Sequence, residues 1–170
     1  MPPANTARRN RLADAAMEIL AGHGAHGLTH RAVDTATGEP PGTTSRYFRT
    51  RDALFLGVVE RAREQHFDDL RQAAFPALDK AALGERLSAI VLNALTVNRS
   101  RHLAMAELFL EATRRPGLRQ AMTETRASQI QLISNLHQAA GVEISQQEAT
   151  LLVATITGLV LVALTTPGVL

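Results

Sequence analysis

The sequence contains no cysteine and no tryptophan, and its 170 residues include one tyrosine and one lysine. Without cysteine, neither a disulfide framework nor a thiolate-ligated metal centre can form. The first twenty residues also lack the apolar run of a secretory signal. These absences favour a protein of a reducing compartment, and we expect a cytoplasmic location.

Net charge is also small, but it is unevenly distributed. The chain has 18 basic and 16 acidic residues, a formal net charge of +2. Residues 1–52 hold seven arginines against five acids, a balance of +2, and the remainder holds eleven of each sign. All of the excess therefore lies in the N-terminal third, which is weak evidence for a surface that faces phosphates.

Strand-like alternation of apolar and polar residues is absent, and apolar residues recur instead at helical spacing. Capping residues, glycines and prolines then predict an all-α chain of about eight helices. The predicted helices span about 6–21, 30–37, 41–48, 51–74, 80–97, 101–114, 116–140 and 146–165.

The most specific signals lie between Gly27 and Leu54. Thr29 is a typical N-cap for the second helix, Gly38 ends that helix, and Pro41 suits the first position of the third. Residues His23–Gly27 are predicted to form a turn.

Two helices of about eight residues are not stable alone, because helix nucleation is costly. We expect them to pack on the first and fourth helices through Val33, Ala36 and Phe48. Their outer face would then carry hydroxyls, a guanidinium and a phenol, namely Thr43, Thr44, Ser45, Arg46 and Tyr47. Such groups suit phosphate oxygens and base edges, as in a helix-turn-helix unit whose second helix enters the major groove.

This stretch resembles the DNA-binding end of the TetR family of bacterial transcriptional regulators. The similarity covers roughly residues 8–59. Its most specific motifs are Gly27-Leu28-Thr29, Arg31-Ala32-Val33, Pro41-Gly42-Thr43, Tyr47-Phe48 and Arg51-Asp52-Ala53-Leu54. The chain departs from the family pattern at Pro40, where Ser or Thr often precedes the proline, and at Ser45, where an aromatic residue is common.

The resemblance implies a homodimer that holds two recognition helices about one DNA turn apart on a palindromic operator. Motif position implies a DNA-facing set of Thr29, Arg31, Thr43, Thr44, Ser45, Arg46, Tyr47 and Arg51. Thr44, Ser45 and Arg46 would lie nearest the bases, with Arg8 and Arg9 as an N-terminal arm. The implied domains are 1–52, for the helix-turn-helix, and 53–170, for effector binding and dimerisation.

The final helix is apolar on all sides, and residues 149–170 contain no charged residue. Such a helix is either deeply buried or in a membrane, and a span needs about 20 apolar residues. Five threonines, Gly158 and Pro167 interrupt this stretch, and no basic residue flanks it. We therefore expect a buried helix that meets its symmetry mate.

The helix from Gly117 to Ala140 is the expected neighbour of the final helix. Two such helices from each subunit would form an isologous four-helix interface, as the resemblance also implies. The predicted interface residues are Ile133, Leu136, Leu152, Ile156, Leu159 and Val160.

A ligand pocket is expected between the fourth helix and helices five to seven, as inside other helical bundles. The candidate ligand-binding residues are Asn93, Asn98, His102, Met105 and Phe109. The alternative is that Met105 and Phe109 are core residues, and that Asn98 and His102 are exposed at a helix break.

No pattern in the sequence supports an enzyme. His23, His26 and His30 have the spacing of metal ligands, but they straddle a glycine-rich turn with no carboxylate between them. The glycines at 22, 24 and 27 follow a helix rather than a strand, so they do not form a nucleotide-binding loop. We predict no catalytic residue, no metal and no cofactor.

Together these features predict a ligand-responsive, DNA-binding transcriptional regulator. It would be a repressor that binds a palindromic operator as a homodimer and is released by a small molecule. Its partners would be double-stranded operator DNA, an unidentified effector and a second copy of the chain, with no membrane. The alternative is a helical DNA-binding protein that has no effector. A third possibility is activation rather than repression, which depends on the position of the operator.

Overall fold

The computed structural model describes residues 3–72, 79–166 and 168. All regular structure in these residues is α-helical, which confirms the predicted fold class. The helices are α1 (Pro3–Gly27), α2 (His30–Thr37), α3 (Thr43–Tyr47), α4 (Arg51–Gln72), α5 (Lys80–Leu95), α6 (Arg99–Ala112), α7 (Pro116–Ala139) and α8 (Gln146–Thr165). The predicted end of α4 at residue 74, and the break at Pro76, lie outside the described residues.

Helix α1 continues past its predicted end at Ala21. It kinks at Gly24, whose φ of 65° and ψ of −176° are non-helical. Glycine adopts this conformation without the steric cost of a Cβ atom. The segment predicted as a turn is therefore a bent helix end, and it delivers the fully buried Leu28 to the core.

Helix α2 begins and ends where the sequence predicts. The Oγ1 atom of Thr29 accepts a hydrogen bond from the Ala32 backbone N–H at 3.1 Å, and Gly38 ends the helix with a φ of 65°. Helix α3 is shorter than predicted, because Pro41 lies in the preceding turn and Gly42, with a φ of 88°, is the N-cap. Since Gly42 has no side chain, α3 begins without a side-chain cap.

The largest core cluster joins the short helices to both halves of the chain. It includes Leu12 and Leu20 of α1, Val33, Phe48, Leu54 and Phe55, and Leu108 and Met122 of the C-terminal half. Val33 and Phe48 pack inward as predicted. Ala36 is exposed, so its predicted core role is wrong, because α2 turns its Val33 side inward. The division at residues 52 and 53 stays a prediction.

Helix α4 approaches Phe48, at the end of α3, most closely at Gly57, which has no side chain. A Cβ atom added at Gly57 would lie 2.9 Å from Cδ1 of Phe48, and closer still to Cε1. Further along α4, Phe67 is 38% exposed. The beginning of α4 thus packs under the helix-turn-helix, whereas its later part leaves open space.

Helix α8 begins with a capping box. The hydroxyl of Ser145 accepts from the Glu148 N–H at 3.2 Å, and the Glu148 carboxylate accepts from the Ser145 N–H at 2.9 Å. Within the described ranges, α8 alone is long and apolar enough to span a membrane, with a mean hydropathy of 1.9. Length and composition are weak evidence for a span, because the core helices of soluble proteins share both features.

Candidate nucleic-acid interface and effector cavity

The turn between α2 and α3 is built around the carboxylate of Asp34, which is 4% exposed. Its Oδ2 atom accepts from the Gly42 N–H at 2.8 Å. Its Oδ1 atom accepts from the Thr44 N–H at 2.7 Å and from the Thr44 hydroxyl at 2.5 Å. Burial alone would raise the pKa of Asp34, but these hydrogen bonds outweigh it and hold the pKa below its ordinary value. An ionised Asp34 therefore holds α3 against α2.

Two residues predicted to face DNA lie on the inner side of α3. Thr44 is fully buried, and its hydroxyl donates a hydrogen bond to the carboxylate of Asp34. Thr43 is 7% exposed and donates its hydroxyl to the carbonyl of Pro40 at 2.7 Å. The prediction that both lie on the outer face is wrong, because the first turn of α3 packs against α2. Their hydroxyls stabilise the turn.

The outer face of the helix-turn-helix is defined here as its exposed polar residues, together with the half-buried Tyr47. It carries three arginines that, within the described part of the chain, form no ion pair with a carboxylate. Its predicted members are Thr29, Arg31, Ser45, Arg46 and Tyr47, and the structure adds Arg49. Sequence analysis missed Arg49, although its place directly after α3 was a usable signal.

The remaining arginines of this region are engaged elsewhere. The Nη2 atom of Arg51 donates to the carbonyl of Ala25 at 2.5 Å, which ties the start of α4 to the bend in α1. Arg8 pairs with Glu39 at 3.1 Å, and Arg9 pairs with Glu60 at 2.6 Å. The two residues expected to form an N-terminal arm therefore lie along α1 with acidic partners.

The histidines near the bend in α1 are not gathered around a common point. His30 Nε2 lies 2.6 Å from the carbonyl oxygen of Phe48, whereas His23 and His26 are exposed. Among the residues that the structure describes, no group of three or more histidines and acids is arranged to hold a metal ion.

A cavity of about 560 Å³ lies among α4, α5, α6, α7 and α8. Its volume falls in the range of roughly 300–1,000 Å³ that small-molecule sites occupy. The wall is mainly apolar and includes Phe67, Met105, Phe109, Met122 and Leu164. Sequence analysis placed the pocket against α4 but did not anticipate the wall that α8 supplies.

Three of the five predicted ligand-binding residues line this cavity, namely His102, Met105 and Phe109. Asn93 and Asn98 do not. The Nδ2 atom of Asn98 donates to Asp69 Oδ2 at 3.1 Å and also to Asn93 Oδ1. These two residues join the α5–α6 junction to α4 outside this cavity, and their ligand-binding role stays a prediction.

The most distinctive polar group in the cavity is the guanidinium of Arg126, which sequence analysis missed. Its Nη1 atom donates to Thr157 Oγ1 at 2.7 Å and to Gln129 Oε1 at 3.2 Å. Its Cζ atom lies 5.2 Å from the ring centroid of Phe109. Burial lowers the pKa of Arg126, yet a guanidinium remains charged at neutral pH. The usable signal was an arginine at helical spacing after Met122.

Two histidines lie in the same wall. Burial lowers the pKa of His66, and the nearby charges of Arg101 and His102 add to the effect. Burial also lowers the pKa of His102, whose Nδ1 atom lies 3.0 Å from the carbonyl of Asn98. The buried Nε2 atom of His66 has no hydrogen-bond partner among the described residues. Both rings are therefore predominantly neutral at pH 7.

A family model for the tetracyclin repressor-like C-terminal domain matches residues 78–169, more than half of the chain. The chain belongs to the TetR family of transcriptional regulators. No curated protein sequence matches it.

Solved structures agree with this family. A TetR-family member from Streptomyces coelicolor A3 is 30% identical, with a TM-score of 0.74 over 95% of this chain and 89% of that one. The multidrug binding protein EbrR complexed with ethidium is 31% identical, with a TM-score of 0.73 over 94% and 88% of the two chains. A Saccharomonospora viridis protein in complex with choline shares the fold at 21% identity, with a TM-score of 0.73 over 96% and 88%.

In this TetR-family chain, polar side-chain contacts of Glu107 and Arg115 connect the C-terminal half to the helix-turn-helix. Glu107 lines the cavity, and its Oε2 atom accepts from the Ala25 N–H at 3.1 Å. The carbonyl of Ala25 accepts in turn from Arg51. Separately, Arg115 forms an ion pair with Asp52 at the start of α4. The Arg115 ion pair ends in the first turn of α4, and the Glu107 contact reaches Arg51 of that turn through the carbonyl of Ala25.

The six residues predicted for the dimer interface do not share one face. Ile133, Leu136 and Val160 are at most 8% exposed in a single chain. Their prediction is wrong, because they face the internal core and the cavity. Leu152 and Ile156 are half-buried against the same core, and Leu159 is 39% exposed.

The outward stripe of α8 is the apolar surface that α8 leaves without a partner in one chain. It carries Leu151, Leu159 and Val162, which are 60%, 39% and 40% exposed. Gly158 lies within it, and a Cβ atom added there would meet nothing within 4 Å. Only 22% of the most apolar 18-residue stretch of α8 is buried in a single chain.

Proposed function

We propose that this TetR-family regulator is a repressor that binds a palindromic operator as a homodimer and is released by a small molecule. The observation that carries the proposal is the double role of α4. Its early residues pack under the helix-turn-helix through Phe55 and Gly57, and its later residues Ala62 and His66 line the cavity. A ligand in the cavity would touch the helix that positions α2 and α3.

The outer face of the helix-turn-helix supports DNA binding by its charge. Arg31, Arg46 and Arg49 present guanidiniums that are free to neutralise phosphates, and Ser45 and Tyr47 lie between them. Phosphate contacts supply affinity and position, whereas the groups nearest the base edges supply sequence preference. In this proposal, Thr43, Thr44 and Arg51 act indirectly, by holding α3 and α4 in place.

The outward stripe of α8 supports dimerisation. A helix whose apolar surface is mostly unburied needs a second apolar surface, and a second copy of the chain supplies an identical one. Gly158 allows two such helices to approach closely. A two-fold dimer would present two α3 helices to half-sites about 34 Å apart, one helical turn of DNA.

The Glu107–Ala25–Arg51 contacts support release by a ligand. Glu107 belongs to the cavity wall, and Arg51 belongs to the first turn of α4. A ligand that binds one arrangement of these groups better than another would shift the spacing of the two recognition helices. The structures of EbrR with ethidium and of the Saccharomonospora viridis protein with choline show that relatives of this fold hold small molecules.

Selection of bound duplexes from a random DNA pool tests the proposal. We expect the full-length protein to enrich a palindrome with half-sites one helical turn apart, and Arg46→Ala to enrich it less. The selection is then repeated with pools of small molecules, some of which should release the duplex. Absence of any sequence preference would refute operator binding. A specific duplex that no compound releases would favour the effector-independent alternative.

A further inference from the structure

We propose that the cavity binds an organic anion, whose acidic group pairs with Arg126 while its apolar body fills the remaining space. This inference rests on the proposed function, because it names the effector class of the same cavity. The observation behind it is that the guanidinium of Arg126 lies in a mainly apolar wall and donates its hydrogen bonds to uncharged oxygens.

Arg126 has no counter-charge among the described residues. Its hydrogen bonds go to the hydroxyl of Thr157 and the amide oxygen of Gln129, neither of which is charged. Within residues 5–69 and 79–166, no carboxylate forms an ion pair with it. The intervening segment 70–78 contains no Asp or Glu in its sequence. The cation is therefore paired by no acid of the described chain.

The described residues of the cavity wall carry more basic than acidic side chains. Glu107 is its only acidic residue among those described, and its carboxylate already accepts from the Ala25 N–H. Arg101 also lines the cavity but is neutralised by Asp69 at 2.8 Å. Arg63, at the exposed rim, adds a further positive charge. The wall consequently has an excess of positive charge, with Arg126 its partly buried centre.

An anionic ligand group would lower the energetic cost of burying the Arg126 charge. Removing a charge from water is costly unless an opposite charge or several hydrogen bonds compensate it. An anionic group on a ligand supplies both, since a carboxylate accepts two parallel N–H bonds from one guanidinium. A lipophilic cation would instead bring a second positive charge beside Arg126, and like charges in a partly dry site repel.

The rest of the cavity defines the other parts of the ligand. Phe109 lies beside the Arg126 guanidinium, and Met105 and Met122 add flexible apolar surface. These side chains suit an aromatic or aliphatic body. His66 presents a buried Nε2 atom with no partner in the described residues. A hydroxyl or carbonyl group on the ligand body would satisfy that nitrogen.

This charge preference differs from that of the relatives whose bound molecules are known. EbrR is seen with ethidium, proflavin and malachite green, and the Saccharomonospora viridis protein is seen with choline. Ethidium, malachite green and choline are organic cations. If the Arg126 wall selects by charge, this chain rejects such molecules although it shares their hosts' fold.

Matched probe pairs test the inference on the full-length protein. The anions are octanoate, decanoate and 2-naphthoate. Their counterparts are octylammonium, decylammonium and 2-naphthylmethylammonium, which have a similar body and the opposite charge. Calorimetric titration should show binding of at least one anion, with its ammonium counterpart at least about tenfold weaker. Ethidium should not bind in the cavity.

Variants then locate the charge that discriminates. Arg126→Gln should weaken binding of the anion about ten- to hundred-fold, the usual effect of losing a charge-assisted hydrogen bond. Arg126→Lys should retain much of the affinity, because it keeps the charge. The matched control is Arg99→Gln, which removes a charge from an exposed residue of α6 outside the cavity lining. It should bind the anion as the wild type does.

Each contrary result has a defined meaning. Tighter binding of the ammonium probes, equal binding of both charges, or binding of no anion would overturn the inference. Anion binding that Arg126→Gln leaves unchanged would also overturn it. The comparison of probes on the wild type needs no variant, so a poorly folded Arg126→Gln does not prevent the decision. The proposed function is judged separately, by duplex selection and release.

Discussion

The carboxylate of Glu107 accepts a hydrogen bond from the backbone N–H of Ala25 across 82 positions of sequence. The carbonyl oxygen of Ala25, in α1, accepts a hydrogen bond from the guanidinium of Arg51. The peptide groups on either side of one buried alanine are thus held by α6 on one side and by α4 on the other. This contact places the cavity wall and the base of the helix-turn-helix in one continuous network.

Loss of the Glu107 carboxylate should destabilise the fold. Glu107→Ala leaves the Ala25 N–H without its acceptor in a partly buried site, so we expect the free energy of unfolding to fall by about 1–2 kcal/mol. Urea denaturation measures the change. Glu107→Gln keeps an acceptor oxygen and should lose less than half as much. Equal losses in both variants would show that the charge matters rather than the hydrogen bond.

Asp34 should make stability depend on pH. Its folded pKa is lower than the ordinary value of 3.8, so its contribution is complete above that value and is lost as pH falls toward the folded pKa. Asp34→Asn removes the charge that accepts from Gly42 and Thr44. We expect it to lower the free energy of unfolding by roughly 2 kcal/mol at neutral pH. In urea titrations, the gap between the two proteins should narrow below about pH 4. A gap that widened there would contradict this assignment.

Arg46 should contribute to DNA affinity through a phosphate or a base. Arg46→Ala is expected to weaken binding to the selected duplex about tenfold. If its contact is a phosphate, the slope of log affinity against log salt should also fall by about one. Fluorescence anisotropy across a salt series measures both quantities. Arg99→Ala, the same charge change at an exposed site on α6, should alter neither; a similar loss in this control would indicate a general charge effect.

The outward stripe of α8 should be needed for dimerisation. Leu159→Glu places a charge at the centre of the stripe, so we expect monomers by sedimentation equilibrium and a loss of affinity for the palindromic duplex. Leu92→Glu is the matched control, because Leu92 is 62% exposed on α5. A dimer that survives Leu159→Glu but not Leu92→Glu would move the interface to α5.

Gly57 should tolerate no side chain. The added Cβ atom of Gly57→Ala would overlap the ring of Phe48, so we expect a loss of about 1–3 kcal/mol in the free energy of unfolding. Gly84→Ala is the matched control in α5, where an added Cβ atom meets nothing within 4 Å. That change should be neutral or stabilise by up to about 1 kcal/mol, because alanine favours helices over glycine. Thermal unfolding distinguishes the two outcomes.

Helix ends were predictable because their signals are local. Thr29, Gly38 and Ser145 each act on backbone groups within about four residues, so their roles can be inferred from adjacent sequence. The orientation of α3 was not predictable in this way. A five-residue helix has too few turns for a periodic pattern, and its inner side is set by hydrogen bonds from Thr44 to Asp34, ten positions away.

The predicted dimer and cavity residues differ from those on the α8 surface and in the cavity wall for a related reason. Helix α8 is apolar on all sides, so periodicity could not tell its core side, with Val160, from its outward side, with Leu159. The polar residues at the α5–α6 junction were likewise ambiguous. Asn98 turned toward Asp69 rather than the cavity, because a partner from α4 lies within hydrogen-bond distance.

The sequence by itself determined an all-α chain, most of its helix boundaries and its resemblance to the TetR family. Capping, helical periodicity and short motifs are properties of neighbouring residues, and they survive without knowledge of the fold. Only the tertiary structure decided that Thr44 supports the turn, that Val160 faces inward and that no acid of the described residues pairs with Arg126. Burial and charge pairing depend on residues that are distant in sequence, so they are decided where the helices meet.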